Sequence, residues 1–291
     1  LAAFFSGEAM LVQRTITALA LLALLLPALF ARHPWPFMAL TLLLIAAGAW
    51  EWGRLNGVPA WLAWLGAALC LIACAVAEQA GWVQRTPPVV WLVAGALWVL
   101  LGAWMIQRGV VGWGLWPRSL RWAVGLLLLT LAWVAMAQAH QRGVGFLLSI
   151  LVLVWVADVF AYFFGKAWGG RWIKTKLAAT ISPGKSWEGV LGGMLGVLLV
   201  AVIWAELDRR WSVPEPSFYA LLFAKGSLVA LPALLFMAAM SVVGDLAESL
   251  VKRSAGMKDS SGLLPGHGGV LDRLDALLPT LPLAMMLVFW L

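Results

Sequence analysis

Charge is scarce in this 291-residue chain. Only 11% of its residues are Asp, Glu, Lys or Arg, 63% are hydrophobic, and the mean hydropathy is +0.94. A soluble globular domain carries about 25% charged and about 45–50% apolar residues, so that class is excluded. Cysteine and histidine are scarce too, with two and three copies. Cys70 and Cys74 fall in one apolar run at i, i+4, on one helix face. No other Cys or His is close in sequence, so they read as buried thiols and not as a zinc site. No basic helix with interleaved aromatics lies outside the apolar runs, which excludes nucleic acid as a partner despite a net charge of +7. A Gly-x4-Gly-Lys-[Ser/Thr] loop is missing, and so is any internal repeat or polar stretch long enough for a separate soluble domain.

What the chain has is long apolar runs. A helical span needs about 20 such residues. Nine candidates stand near 14–31, 36–52, 60–77, 89–106, 121–139, 144–164, 189–205, 227–247 and 276–291. The short connections "RHPWP", "NGVPA" and "RTPP" carry turn residues. Twenty tryptophans fit the same class, since indole favours the membrane interface. The fold class predicted is an all-α polytopic membrane protein. The first run lacks a small-x-small cleavage site and is read as a retained span. "MLVQRTITAL" at Met10 reads as a natural start, and residues 1–9 as an extension outside the fold. Residues 10–140 then hold spans 1–5. Residues 141–291 hold spans 6–9 with two polar loops, 166–188 and 249–275. Fourteen of the twenty Lys and Arg lie on the side of the N-terminus and of these two loops. The positive-inside rule puts that side in the cytoplasm and the C-terminus outside, as for a bacterial inner-membrane protein.

Seven of the thirteen acidic residues lie in two regions: Asp158 and Glu188 flank the first loop, and Asp245, Glu248, Asp259, Asp272 and Asp275 surround the second. Carboxylates at a membrane edge are costly and point to function. Asp245 and Glu248 share an i, i+3 spacing where span 8 ends; Asp272 and Asp275 repeat it where span 9 begins. Antiparallel spans bring the pairs to one depth. Converging carboxylates repel, and a divalent cation resolves the conflict. All-oxygen ligands favour Mg²⁺ or Mn²⁺ over zinc. The alternative is that these acids pair with Lys252, Arg253 and Arg273.

Between them stands "PGHGG". Gly266, Gly268 and Gly269 permit a positive-φ turn whose N–H groups make an anion-binding concavity. Span 9 begins just after it and adds a favourable helix dipole. Lys252, Arg253, Lys258 and Arg273 supply positive charge. Glycine turn, bases and acids together describe a metal–polyphosphate site. The first loop ends in "SPGKSWEG", where Ser182, Lys185 and Ser186 offer donors to phosphate.

"SLVKRSAGMKDSSGLLPGHGGVLDRLD", Ser249 to Asp275, resembles the signature of the phosphatidate cytidylyltransferase (CDP-diacylglycerol synthase) family and matches each fixed position of it. "WVADVFAYFFGK" and "ISPGKSWEG" resemble two further family blocks, so the close resemblance covers about residues 155–275. One departure is Val159-Phe160 after Asp158, where many members carry a small or hydroxyl residue and then glycine. The resemblance implies that CTP and phosphatidic acid give CDP-diacylglycerol and pyrophosphate, with Mg²⁺. It implies metal ligation by Asp245, Asp272 and Asp275. It implies nucleotide or phosphate contacts by Lys252, Arg253, Lys258, His267 and Arg273, and upstream by Ser182, Lys185 and Glu188. His267 either takes the last proton of the lipid phosphate or hydrogen-bonds it.

Two other functions compete. A CTP-dependent polyprenol or lipid kinase would transfer the γ-phosphoryl group and release CDP. A cation-coupled transporter would place its acids near the bilayer midplane, whereas these cluster at one edge. Helices rich in Ala and Gly permit a homodimer.

Overall fold

The structure is a computed structural model that describes residues 12–290; the expected extension at residues 1–9 lies outside them. The first three helices are α1 (Ala2–Leu29), α2 (Trp35–Leu55) and α3 (Ala60–Gln79). A single turn, α4 (Trp82–Arg85), leads to α5 (Pro88–Leu115) and α6 (Arg118–Gln141). Next come α7 (Val144–Trp168), α8 (Trp187–Arg210), the short α9 (Phe218–Ala224) and α10 (Ser227–Ser254). The chain closes with α11 (Leu271–Leu274) and α12 (Leu277–Trp290). The described residues contain nine helical segments long and apolar enough to cross a membrane, with α11 and α12 forming the ninth. Helices satisfy every backbone donor internally, which hydrocarbon demands. Proline sits at or just before the start of α2, α3, α5 and α6, where its missing N–H costs no helical bond. The chain is an integral membrane protein.

The last span is the most enclosed, packed among α5, α6 and α10. The pair α7–α8 forms a close hairpin: a Cβ at Gly193 would stand 2.7 Å from the Ala157 carbonyl oxygen, so the glycine sets the separation. In contrast, α1 packs on α2 and leaves most of its surface facing outward.

Several span ends differ from the expected ones, the sixth and seventh running on to Trp168 and Arg210. The fourth span reaches Leu115 because a non-helical Gly109 (φ 62°, ψ −163°) breaks it and a further turn follows. The eighth reaches Ser254, so Asp245 lies inside α10, and Lys252 and Arg253 are helical instead of in the loop. The helix continues because nothing before Gly256 breaks it. The ninth starts at Leu271 and is interrupted at Asp275–Ala276.

Candidate active site

A cavity of about 420 Å³ opens between α7, α8, α10 and the loop joining α7 to α8. From α7 come Asp158, Tyr162 and Lys166; from the loop come Gly184, Lys185 and Ser186; from α10 comes Asp245. Lys185 Nζ meets Asp245 Oδ2 at 2.5 Å, and Ser249 Oγ donates to Asp245 Oδ1 at 3.2 Å. This ion pair ties the two polar sequence blocks together across 60 residues. Ser186 caps α8 by accepting from Gly189 N at 3.2 Å, which leaves its hydroxyl proton for another acceptor. A smaller cavity of about 180 Å³ shares Gly184, Lys185 and Ser186 and adds Lys174 and Lys176.

Glu188 does not face this cavity. Its side chain is fully buried, and Oε1 accepts from Trp172 N and Ile173 N at 2.9 Å each. It moors the basic loop to the start of α8.

The second block is built around two buried carboxylates. Asp272 Oδ1 takes Lys252 Nζ at 2.5 Å. Its Oδ2 takes Ser260 N, Ser260 Oγ and Gly269 N at 2.9, 2.7 and 2.7 Å. Lys252 also pairs with Glu248, one turn earlier on α10. Pairing of acids with bases, the alternative to metal binding, is therefore what Glu248 and Asp272 show, both on Lys252. The residue that sequence reasoning missed is Glu51. It lies fully buried on α2 and accepts from Ser261 Oγ (2.5 Å), Ser260 Oγ (3.2 Å), Val270 N (3.0 Å) and Leu271 N (2.7 Å). A carboxylate within an apolar run was its only signal.

These bonds close the glycine turn. Leu264 N donates to Gly268 O at 2.8 Å, and Gly268 adopts φ +82°. At Gly269 a Cβ would collide with Ser260 Oγ and Glu51 Oε1. On the outer side, Arg14 Nε donates to Gly266 O at 3.0 Å and Thr17 Oγ1 to Pro265 O at 2.8 Å. Arg273 donates to His267 O at 2.7 Å, while His267 Nδ1 is buried without a hydrogen-bond partner.

Asp275 stands between the two blocks. It interacts electrostatically with Asp245 and Asp158 on one side and with Glu248 on the other. Its Oδ1 accepts from Ala276 N at 2.7 Å, and no ion pair involves it among the described residues. Asp158, Asp245, Lys185 and Ser186 thus converge on one cavity. Arg253 is exposed and bonds Ile181 O at 3.4 Å and Met257 O at 3.3 Å, so it bridges the two loops. Ser182 turns the first loop through its own backbone. Lys258 is exposed on the second loop. Among the described residues no three His, Cys, Asp or Glu side chains stand close enough to hold a metal ion by themselves.

The chain matches the model of the cytidylyltransferase family over residues 12–291. It is 38% identical over 287 residues to a phosphatidate cytidylyltransferase of Pseudomonas aeruginosa, covering 96% of this chain and 97% of that protein. A phosphatidate cytidylyltransferase of Haemophilus influenzae is 34% identical over 292 residues, covering 94% and 96%. The namesake of Bacillus subtilis is 37% identical over 148 residues, about half of each chain.

Proposed function

The chain belongs to the cytidylyltransferase family, and from that premise we propose that it makes CDP-diacylglycerol and pyrophosphate from CTP and phosphatidic acid. An oxygen of the lipid phosphate attacks the α-phosphorus of CTP. The bond from that phosphorus to the oxygen bridging the β-phosphorus breaks in line, and pyrophosphate leaves with the electron pair. The observation that carries this reading is the Lys185–Asp245 pair in a polar cavity between apolar helices. It puts cationic and anionic groups together where a membrane lipid and a soluble nucleotide both have access.

Covalent work by the protein is small here; the main obstacle is bringing two anions together. Lys185, Lys174 and Lys176 border the two cavities and would neutralise the triphosphate. In the glycine turn the N–H groups of His267, Gly269, Val270 and Leu271 are already bonded within the protein, so the expected anion-binding concavity is not formed by them, and His267 Nδ1 is buried without a partner. Lys252, Asp272 and Glu51 hold that turn against α2 and α10.

The donor set fits a hard divalent cation. It is made of carboxylate oxygens, and Lys185 Nζ now stands where a cation would meet Asp245 Oδ2. Asp245 and Asp275 would hold Mg²⁺ or Mn²⁺, the remaining coordination coming from phosphate oxygens or water. Asp272 has no free oxygen for it, because Lys252 Nζ takes Oδ1 and three donors fill Oδ2. Bound there, the cation would neutralise charge on the nucleotide phosphates and the leaving pyrophosphate.

The polar loops face the cytoplasm of a bacterial cell in this reading, since Lys and Arg concentrate on their side. The test is product analysis on purified protein with α- and γ-labelled CTP, Mg²⁺ and phosphatidic acid, omitting each in turn. Pyrophosphate and a cytidylated lipid are expected only from the complete mixture. Release of CDP with a phosphorylated lipid would instead identify a lipid kinase.

A further inference from the structure

We propose that the apolar groove between α1, α2 and α7 holds an acyl chain of the phosphatidate substrate. This rests on the reading above and names the lipid-binding part of the same site. The groove measures about 280 Å³, and Arg273 is the one charged residue lining it. The other polar lining group, Thr41, returns its hydroxyl to Phe37 O and Met38 O of its own helix. Such a surface suits an amphiphile with an anionic head and a hydrocarbon tail.

Two relationships tie the groove to the reaction centre. Leu151 and Trp155 of α7 line the groove, and Asp158 and Tyr162 of the same helix line the polar cavity. Their spacing of four, three and four residues is one helical face, so the apolar and polar compartments share a wall. At the other wall, Thr17 holds the Pro265 carbonyl of the glycine turn, and Leu21 and Leu25 follow one and two turns deeper along α1. The groove therefore begins beneath the turn and descends into the apolar layer. Along α2 it runs from Ile45 to Phe37, roughly 12 Å by helical rise.

The test compares dioleoyl with dihexanoyl phosphatidate. Leu40→Trp fills the groove from α2, and Leu199→Trp adds the same bulk on the exposed face of α8. In Leu40→Trp the ratio of kcat/KM for the long chain to that for the short chain falls about tenfold, equivalent to about two methylenes no longer buried. In Leu199→Trp the ratio keeps its wild-type value. An unchanged ratio in Leu40→Trp, or an equal fall in both variants, overturns the proposal.

A second measurement does not depend on a folded variant. Phosphatidate with a diazirine near the chain terminus is photolysed with the wild-type protein. Labelling of Leu21–Leu25 or Trp155, competed by unlabelled phosphatidate, supports the site. Labelling confined to outward faces, or uncompeted labelling as for bulk lipid, removes it. If wild-type protein releases no pyrophosphate with either chain length, the functional reading fails, while the labelling still reports on the groove.

Discussion

Glu51 and Ser261 are 210 residues apart in sequence, and their side chains meet at 2.5 Å. Through this bond and those to Val270 N and Leu271 N, the second helix fixes the polar turn that precedes the ninth span. Hydrogen bonds to a buried charge contribute about 1.5–3 kcal/mol each. Glu51→Gln keeps the shape, removes the charge and points an amide N–H₂ at groups that are themselves donors. Its kcat/KM for CTP should fall at least about tenfold, a barrier change of about 1.4 kcal/mol, and its apparent Tm in detergent should drop. A variant with wild-type kinetics and a normal melting curve would show that the turn holds its shape without α2.

Lys252 lies between Glu248 and Asp272, and all three side chains are at most 11% exposed. Removing the cation strands two buried carboxylates, a loss of about 3–5 kcal/mol. Lys252→Met should thus give little folded protein by size-exclusion chromatography. Adding Glu248→Gln removes one stranded charge and should restore part of the yield. That non-additivity, read as a double-mutant cycle, is the signature of a shared ion pair. Additive losses would mean that Lys252 acts elsewhere.

The spans were readable because hydrocarbon imposes long apolar runs, and all nine expected runs coincide with helices among the described residues. Their ends were less readable. Nothing in "SVVGDLAESLVKRS" announces that α10 continues past the acids to Ser254, because propensity there favours helix on both sides of the membrane edge. Asp245, Lys185 and Ser186 were legible as polar groups in an apolar chain, but their ion pair and cap need the fold. Glu51 was illegible for a different reason. Its partners are two backbone N–H groups, of residues 270 and 271, and two serine hydroxyls, and a backbone donor leaves no mark in a sequence. Glu188, similarly, serves the loop backbone at 172–173, which its place in the sequence does not announce.

The glycines of the signature are not equivalent. A Cβ at Gly269 would strike Ser260 Oγ and Glu51 Oε1, whereas a Cβ at Gly262 would meet nothing within 4 Å. Gly269→Ala must displace either the Asp272–Ser260 contacts or the α2 anchor, so turnover should fall by about two orders of magnitude, an effect of about 2.7 kcal/mol. Gly262→Ala should stay near wild type. Equal activity in the two variants, measured as pyrophosphate release, would detach the turn from catalysis.

A divalent cation held by Asp245 would compete with Lys185 for the same oxygen. Lys185 Nζ occupies Asp245 Oδ2, in a pair whose side chains are 25% and 29% exposed. Replacing it by Met frees that carboxylate and removes a positive charge from the cavity. Both changes favour a bound cation, so Mn²⁺ should bind the substrate-free variant about fivefold tighter, an effect of about 1 kcal/mol for a partly screened pair. Turnover should move the other way, because the lysine is also needed to neutralise the nucleotide phosphates. Electron paramagnetic resonance titration with Mn²⁺ reads the first effect without any reaction, and pyrophosphate release reads the second. If Mn²⁺ affinity is unchanged while turnover falls, Lys185 serves the nucleotide alone and Asp245 does not hold the metal. If affinity rises and turnover is unchanged, the metal assignment stands and the phosphate role passes to Lys174 and Lys176.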